Sequence, residues 1–324
     1  MSTGKVLVAH PLKQHSFQTA MALKEAGMLE KYITTVYVKD ESLTKKILPF
    51  LKGNTKKKAE SRSCPPLDND VKQILEFESL AYLGMQRITK LKLFRRWFIR
   101  KVINRFGIKV AKYAIKHNVD AVIMYDTTAT TCFEYLKKHA PHIKRVLDVS
   151  ISTGRFMKDN FEKDMLLTGD EGHREESEFL WNKTVMLDRD REIEYSQYFL
   201  AASNIVKKSL IYCGAKEEQI YIIPYGVDRE KFSFVPKKEI TGTLKLVFVG
   251  QVNYRKGIHH ICKVVKEMGN AVELFLAGPF DSESKIYEKY KNCDNIHFCG
   301  FVTRDKLASL YNDCDVFVFP TLGE

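Results

Sequence analysis

The chain has 324 residues, 44% hydrophobic and 28% charged, which exceeds one ordinary core, predicts two domains and excludes a disordered or fibrous protein. Seven cysteines, odd in number and without a C-x-x-C pair, indicate neither a disulfide framework nor a zinc ribbon and fit a reducing cytosol. The start is too short in apolar residues for a signal peptide and no apolar run reaches the ~18 residues of a membrane span, so the expectation is a cytoplasmic protein, and the net charge of +12 calls for an anionic partner.

Val6 to Ala9 read as a short strand, followed by a loop from His10 to Ser16, a helix from Phe17 to Ala26 and a strand from Ile33 to Val38, which is a β-α-β opening. Lys52 to Pro66, with a lysine triplet, Gly53 and two prolines, reads as a surface loop. Between Glu78 and Asp120 stand eleven lysines and arginines and no acid, which supplies nearly the whole net charge. Apolar residues at Leu91, Phe94, Phe98, Val102, Val110 and Tyr113 keep helical spacing there. That pattern predicts a core-facing stripe with a basic solvent face, and residues 87–116 equally suit docking on anionic lipid or a phosphorylated acceptor. No nucleic-acid-binding module accompanies the charge, so nucleic acid is not an expected partner.

Strands recur at Ala121 to Tyr125, Val146 to Val149, Tyr198 to Ala202 and Ile220 to Ile223, with helical segments between them. Such alternation predicts a doubly wound α/β domain with a parallel sheet covered on both faces. Asp188-Arg189-Asp190 imitates a D-x-D metal motif, but it lies in a charge-dense helical stretch whose odd positions point to different faces, so a solvated helix is expected. The polar stretch Val235 to Thr243 reads as a linker, dividing the chain into domains at 1–235 and 243–324. Beyond it the alternation restarts: strands at Leu244 to Val249, Glu273 to Ala277, Ile296 to Cys299 and Val316 to Phe319, and helices at Ile258 to Met268, Ser282 to Lys291 and Asp305 to Tyr311.

Val247 to Gly257 (VFVGQVNYRKG) combines a strand ending in glycine, a short loop, two cations and a helix start. Gly250 at the strand's carboxyl end lets a ligand approach the backbone, the helix terminus offers unpaired N–H groups, and Arg255 and Lys256 add full charge, so the place suits a phosphate. In the first domain, His10, Lys13 and His15 follow the first strand and Asp126 ends the strand Ile123-Met124-Tyr125, where a doubly wound sheet puts its ligands.

The segment Phe199 to Asp228, then Leu274 to Pro279 (LFLAGP), Ile296 to Val302 (IHFCGFV) and Leu310 to Glu324, together with the loop above, resemble successive blocks of glycosyltransferase family 4 in order and spacing. A weaker likeness covers His10-Pro11, Lys13-Gln14-His15 and Gln18-Thr19. The resemblance implies a GT-B fold of two Rossmann-like domains, with the second incomplete in this stretch. It implies transfer from a nucleotide-diphosphate sugar with retention of configuration; the expectation of a hexose-type sugar passed to a glycan or lipid-linked acceptor near the inner face of a membrane rests, for the acceptor, on the basic stretch alone.

The resemblance also implies no cofactor and no obligatory metal, since fixed cations can neutralise the departing diphosphate in place of Mg2+. Lys256, Arg255, Gly250 and Gln251 match the donor-diphosphate positions. Many family members carry an arginine where this chain has Gln251. Glu324 matches the first glutamate of the family's Glu-x7-Glu motif, which contacts the donor sugar; the second glutamate falls beyond this stretch, so little turnover is expected of the stretch alone. Leu12 and Thr153 stand where the matching subgroup often has Gly and His, so His10, Lys13, His15 and Asp126 are acceptor-loop candidates and no catalytic base is assigned. Two rival readings are a GT-B nucleotide-sugar epimerase and a non-enzymatic basic membrane-docking protein.

Overall fold

The structure is a computed structural model that describes residues 4–12, 15–86, 92–227 and 242–324. Lys13, residues 87–91 of the basic stretch and nearly all of the expected linker lie outside the described residues. The chain forms two compact units, Met1–Ser150 with Leu187–Ile223, and Ile151–Met186 with Pro224–Glu324. The division at 1–235 and 243–324 therefore differs from the observed one for residues 151–186, which pack with the second unit.

Seven parallel strands form the sheet of the first unit: β1 (Val6–Ala9), β2 (Leu29–Thr34), β3 (Val71–Gln73), β4 (Ala121–Tyr125), β5 (Lys144–Val149), β6 (Tyr198–Ala201) and β7 (Ile220–Ile222), in the order β3-β2-β1-β4-β5-β6-β7. The pleat sends alternate residues to opposite faces, and both faces are apolar. Leu7, Ala9, Val122 and Met124 join Phe106, Val110 and Phe133 in one core, while Val6, Val8, Ile123 and Tyr125 join Tyr32, Tyr37 and Leu67 in the other. The order reverses between β1 and β4, so the loops after these two strands diverge and leave a crevice at their carboxyl ends.

The second unit has a parallel sheet of β8 (Leu244–Val249), β9 (Val272–Ala277), β10 (Ile296–Gly300) and β11 (Val316–Phe317), ordered β10-β9-β8-β11. Leu246, Phe248, Leu274 and Leu276 pack on Ile258, Cys262 and Val265 of the helix Ile258–Met268. Their i, i+4, i+7 spacing is the apolar stripe of an amphipathic helix.

Some expectations need correction. The expected strand at Ile33 to Val38 runs instead over Leu29–Thr34, and the apolar residues Val36 and Tyr37 are buried in the turn that follows it. The expected surface loop at Lys52 to Pro66 contains a helix, Gly53–Glu60, because its Lys, Ala and Glu residues are good helix formers and the prolines fall only after it. Helix Lys183–Tyr195 is not simply solvated: it carries buried Glu192 and half-buried Arg189. The basic stretch does form one long helix, Lys92–Lys116; Val102, Phe106 and Val110 are buried, whereas Phe94 and Trp97 are about half exposed.

Candidate functional site

Three glycines end the central strands of the second unit and tie their tips together. The Gly250 N–H donates to the Ala277 carbonyl at 2.9 Å and the Gly278 N–H to the Gly300 carbonyl at 2.8 Å. A side chain at Gly278 would run into the Gly250 carbonyl, which accounts for glycine at that strand end. Asn253 then caps a single 3-10 turn, Tyr254–Lys256, its side chain accepting from the Lys256 N–H at 3.1 Å. Gly257, at a left-handed φ of 70°, releases the chain into the helix, and a Cβ there would strike the Pro320 carbonyl.

This turn aims two cations at one place. Arg255 Nη1 donates to Glu324 Oε1 at 2.5 Å and to the Gly323 carbonyl at 3.0 Å, and Lys256 Nζ pairs with the same Glu324 oxygen. Lys256 is buried beside the Phe319 ring, 5.2 Å away, so burial pushes its ammonium below the usual lysine range while Glu324 pulls it back up. The turn is held from behind by Tyr254, whose N–H donates to Glu176 Oε2 at 2.7 Å and whose hydroxyl donates to Asp170 at 2.6 Å. The candidates Gly250, Arg255, Lys256 and Glu324 are thus brought to one strand-end region, with exposed Gln251 beside Gly250.

The crevice of the first unit is built from different chemistry. His10 follows β1 and is buried against Tyr125, ring centroids 5.3 Å apart; burial lowers its pKa to about 4, so it is neutral at pH 7. His15 stands 5.0 Å from the same ring and bonds Asp148 through Nε2 at 3.1 Å. Asp126 accepts from the Ser150 hydroxyl at 3.2 Å, and burial raises its pKa despite the nearby Arg189 guanidinium. His10, His15 and Asp126 therefore gather at the switch point. Asp148 and Arg189 belong with them and were missed. Asp148 stands at a strand end as Asp126 does, which was an available signal; Arg189 was hidden inside a sequence that reads as a surface helix.

Residues 229–324 match the family model of glycosyl transferases group 1. In sequence the chain is similar to Escherichia coli WcaL, named for a role in colanic acid biosynthesis, at 28% identity over 141 residues, 40% of this chain and 35% of that protein. It is also similar to the alpha-galactosylglucosyldiacylglycerol synthase of Streptococcus pneumoniae, at 24% over 144 residues, 40% of this chain and 38% of that protein. The matched part thus spans little more than a third of either relative. In structure it resembles Anabaena HepE in complex with UDP and glucose, with a TM-score of 0.51 at 11% identity over 98% of this chain and 74% of that one. The lipopolysaccharide outer core galactosyltransferase WaaB gives 0.53 at 11% identity, over 98% and 74%.

The fold is that of the GT-B glycosyltransferases, with Rossmann-like units built on parallel sheets. A cavity of about 450 Å3 opens beside the Tyr254–Lys256 turn, lined among others by Gln251, Asn253, Glu175, Glu176, Asp281 and Lys285. Its carboxylates outnumber its one lysine, which is already paired with Glu175 at 2.7 Å. Such a wall disfavours an anion, and neither Arg255 nor Lys256 lines it.

Proposed function

We propose that this chain carries the donor-binding machinery of a glycosyltransferase that moves a hexose-type sugar from a nucleotide-diphosphate sugar to a glycan or lipid-linked acceptor, with retention of configuration. The observation that carries this reading is the convergence of Arg255 and Lys256 on Glu324 at the glycine-edged strand ends. As the sugar leaves, negative charge grows on the diphosphate. Two cations fixed by a capped turn, one of them buried, stabilise that charge without reorganising at the moment of reaction. No metal is required of this scheme. Glu324, already held by both cations, is placed to accept hydrogen bonds from sugar hydroxyls.

The binding of UDP and glucose by HepE supports the nucleotide-sugar assignment. Titration of the 324-residue chain with UDP and GDP tests it. At least one should bind, and Lys256→Ala should weaken binding by about 100-fold, or ~3 kcal/mol, the scale of losing one preorganised charge-stabilising group. Binding of neither nucleotide, or equal binding by the variant, contradicts the reading. In any assay that yields product, the new glycosidic bond keeps the donor's anomeric configuration by proton NMR; an inverted product contradicts retention.

The acceptor is reached on an anionic membrane surface through helix Lys92–Lys116, a part of the proposal that rests on the exposed Phe94 and Trp97 among exposed cations, with Lys101 Nζ 4.0 Å from the Trp97 ring. Among the described residues no helix is long and apolar enough to cross a membrane. Replacing Arg96, Lys101 and Lys109 by alanine should weaken binding to phosphatidylglycerol vesicles by about 100-fold, at ~1 kcal/mol per charge. Unchanged sedimentation with the vesicles contradicts the docking.

A further inference from the structure

A second constellation lies in the same unit and is used by none of the steps above. Asp164, buried on helix Gly154–Thr168, is met by three imidazoles. His173 and His259 reach its Oδ2 through Nε2 at 2.7 and 2.8 Å, and His260 reaches Oδ1 through Nε2 at 2.6 Å. His173 sits on the short helix Gly172–Glu176, whereas His259 and His260 open the helix that follows the Arg255–Lys256 turn. The cluster therefore joins two chain segments about ninety residues apart, where no catalytic task calls for so many imidazoles.

We propose that Asp164, His259 and His260 bind one divalent transition-metal ion of the zinc type, with His173 holding the Asp164 carboxylate from its own side. The ligand atoms of Asp164, His259 and His260 all lie within 4.8 Å of one another. Imidazole nitrogen with one carboxylate is a donor set that borderline-soft ions prefer, and three protein donors leave a tetrahedral zinc ion one position for water.

Coordination through Nε2 moves each ring hydrogen to Nδ1, and the ion then replaces the N–H···O contacts. Zinc bonds of about 2.0–2.2 Å at tetrahedral angles set donors about 3.3 Å apart, so the contacts of 2.8 and 2.6 Å from His259 and His260 to Asp164 need to open by roughly half an ångström. His260, whose side chain is 41% exposed, offers the entry path that buried Asp164 and His259 close. The bound ion would clamp residues 154–176 to the start of the helix behind the donor turn, fixing the backing that Asp170 and Glu176 give to Tyr254.

The competing account is a hydrogen-bonded cluster that needs no ion, and a metal count separates the two. Untagged 324-residue chain, stripped with chelator and dialysed, is titrated with Zn2+ alone and then with Co2+. One equivalent of Zn2+ per chain should bind with a dissociation constant below about 1 μM, and the Co2+ form should show the visible bands of a four-coordinate site. Asp164→Asn and His260→Gln should each weaken Zn2+ binding by more than about 10-fold, the scale on which even outer-shell changes act. Circular dichroism accompanies the buried Asp164 variant, and the half-exposed His260 variant decides independently of it. Less than about 0.1 equivalent in the folded wild-type chain, or stoichiometric binding undiminished in both variants, overturns the proposal.

Discussion

The two units present the carboxyl ends of parallel strands, yet they equip those ends oppositely. In the second unit the strand tips are glycine, the turn beyond them is cationic, and Glu324 is shared by Arg255 and Lys256. In the first unit the tips carry His10, Asp126 and Asp148, with His15 paired to Asp148, and the half-buried Arg189 near Asp126. One end can hold a dianion; the other can exchange protons and accept hydrogen bonds from hydroxyl groups. The same fold element thus takes its chemistry from a handful of loop residues, which is why the proposal puts the donor with the cations.

The largest way to break the cationic end is steric. Gly257→Val adds a β-branched side chain at a left-handed φ and against the Pro320 carbonyl, so about 3–4 kcal/mol should be lost from the second unit in urea unfolding, with the nucleotide site lost alongside. Lys256→Ala comes next, with its ~3 kcal/mol confined to nucleotide binding and little change in unfolding. If Gly257→Val leaves the urea midpoint unchanged, the turn is not built as described.

Much of this end was legible before any coordinates. Glycine at positions 250, 278 and 300, each after a β-branched or aromatic run, marks strand tips, and Arg255-Lys256-Gly257 before an apolar helical period marks a phosphate turn. What one sequence does not display is pairing over distance. Glu324 meets Lys256 across 68 positions and Asp164 meets His260 across 96. Residues 151–186 likewise read as more of the first domain, because their packing against the second unit depends on Met157, Phe161 and Leu322 meeting in space. Glu192 was hidden by the same blindness: an acid in a charged helix reads as solvated until a helix terminus is seen to cover it.

That acid sharpens the proton-exchanging end. Glu192 accepts from the N–H groups of Thr127 at 2.7 Å, Ala129 at 2.6 Å and Thr130 at 3.2 Å, and burial nonetheless raises its pKa to about 7. The folded unit therefore holds a proton that the unfolded chain releases near pH 4.5, and stability should fall as pH rises from about 4.5 to 7, by up to ~3 kcal/mol at 1.36 kcal/mol per unit. Thermal melts of the first unit across that range check the sign; a melting temperature that climbs instead shows that the backbone donors win over burial.

The smallest effect lies in the same loop. Thr127 holds a φ of 72°, costly for a β-branched residue, directly after Asp126. Thr127→Gly should stabilise the unit by about 1 kcal/mol, and no gain would mean that the Glu192 bond already relieves the strain.

The assignment of the donor to the cationic end is tested most directly by hydrogen–deuterium exchange of the chain with and without UDP or GDP. The account predicts slower exchange in the backbone from Gly250 to Ile258 and from Thr321 to Glu324, with little change around His10, His15 or Asp126. Protection confined to the loops after β1 and β4 would contradict it.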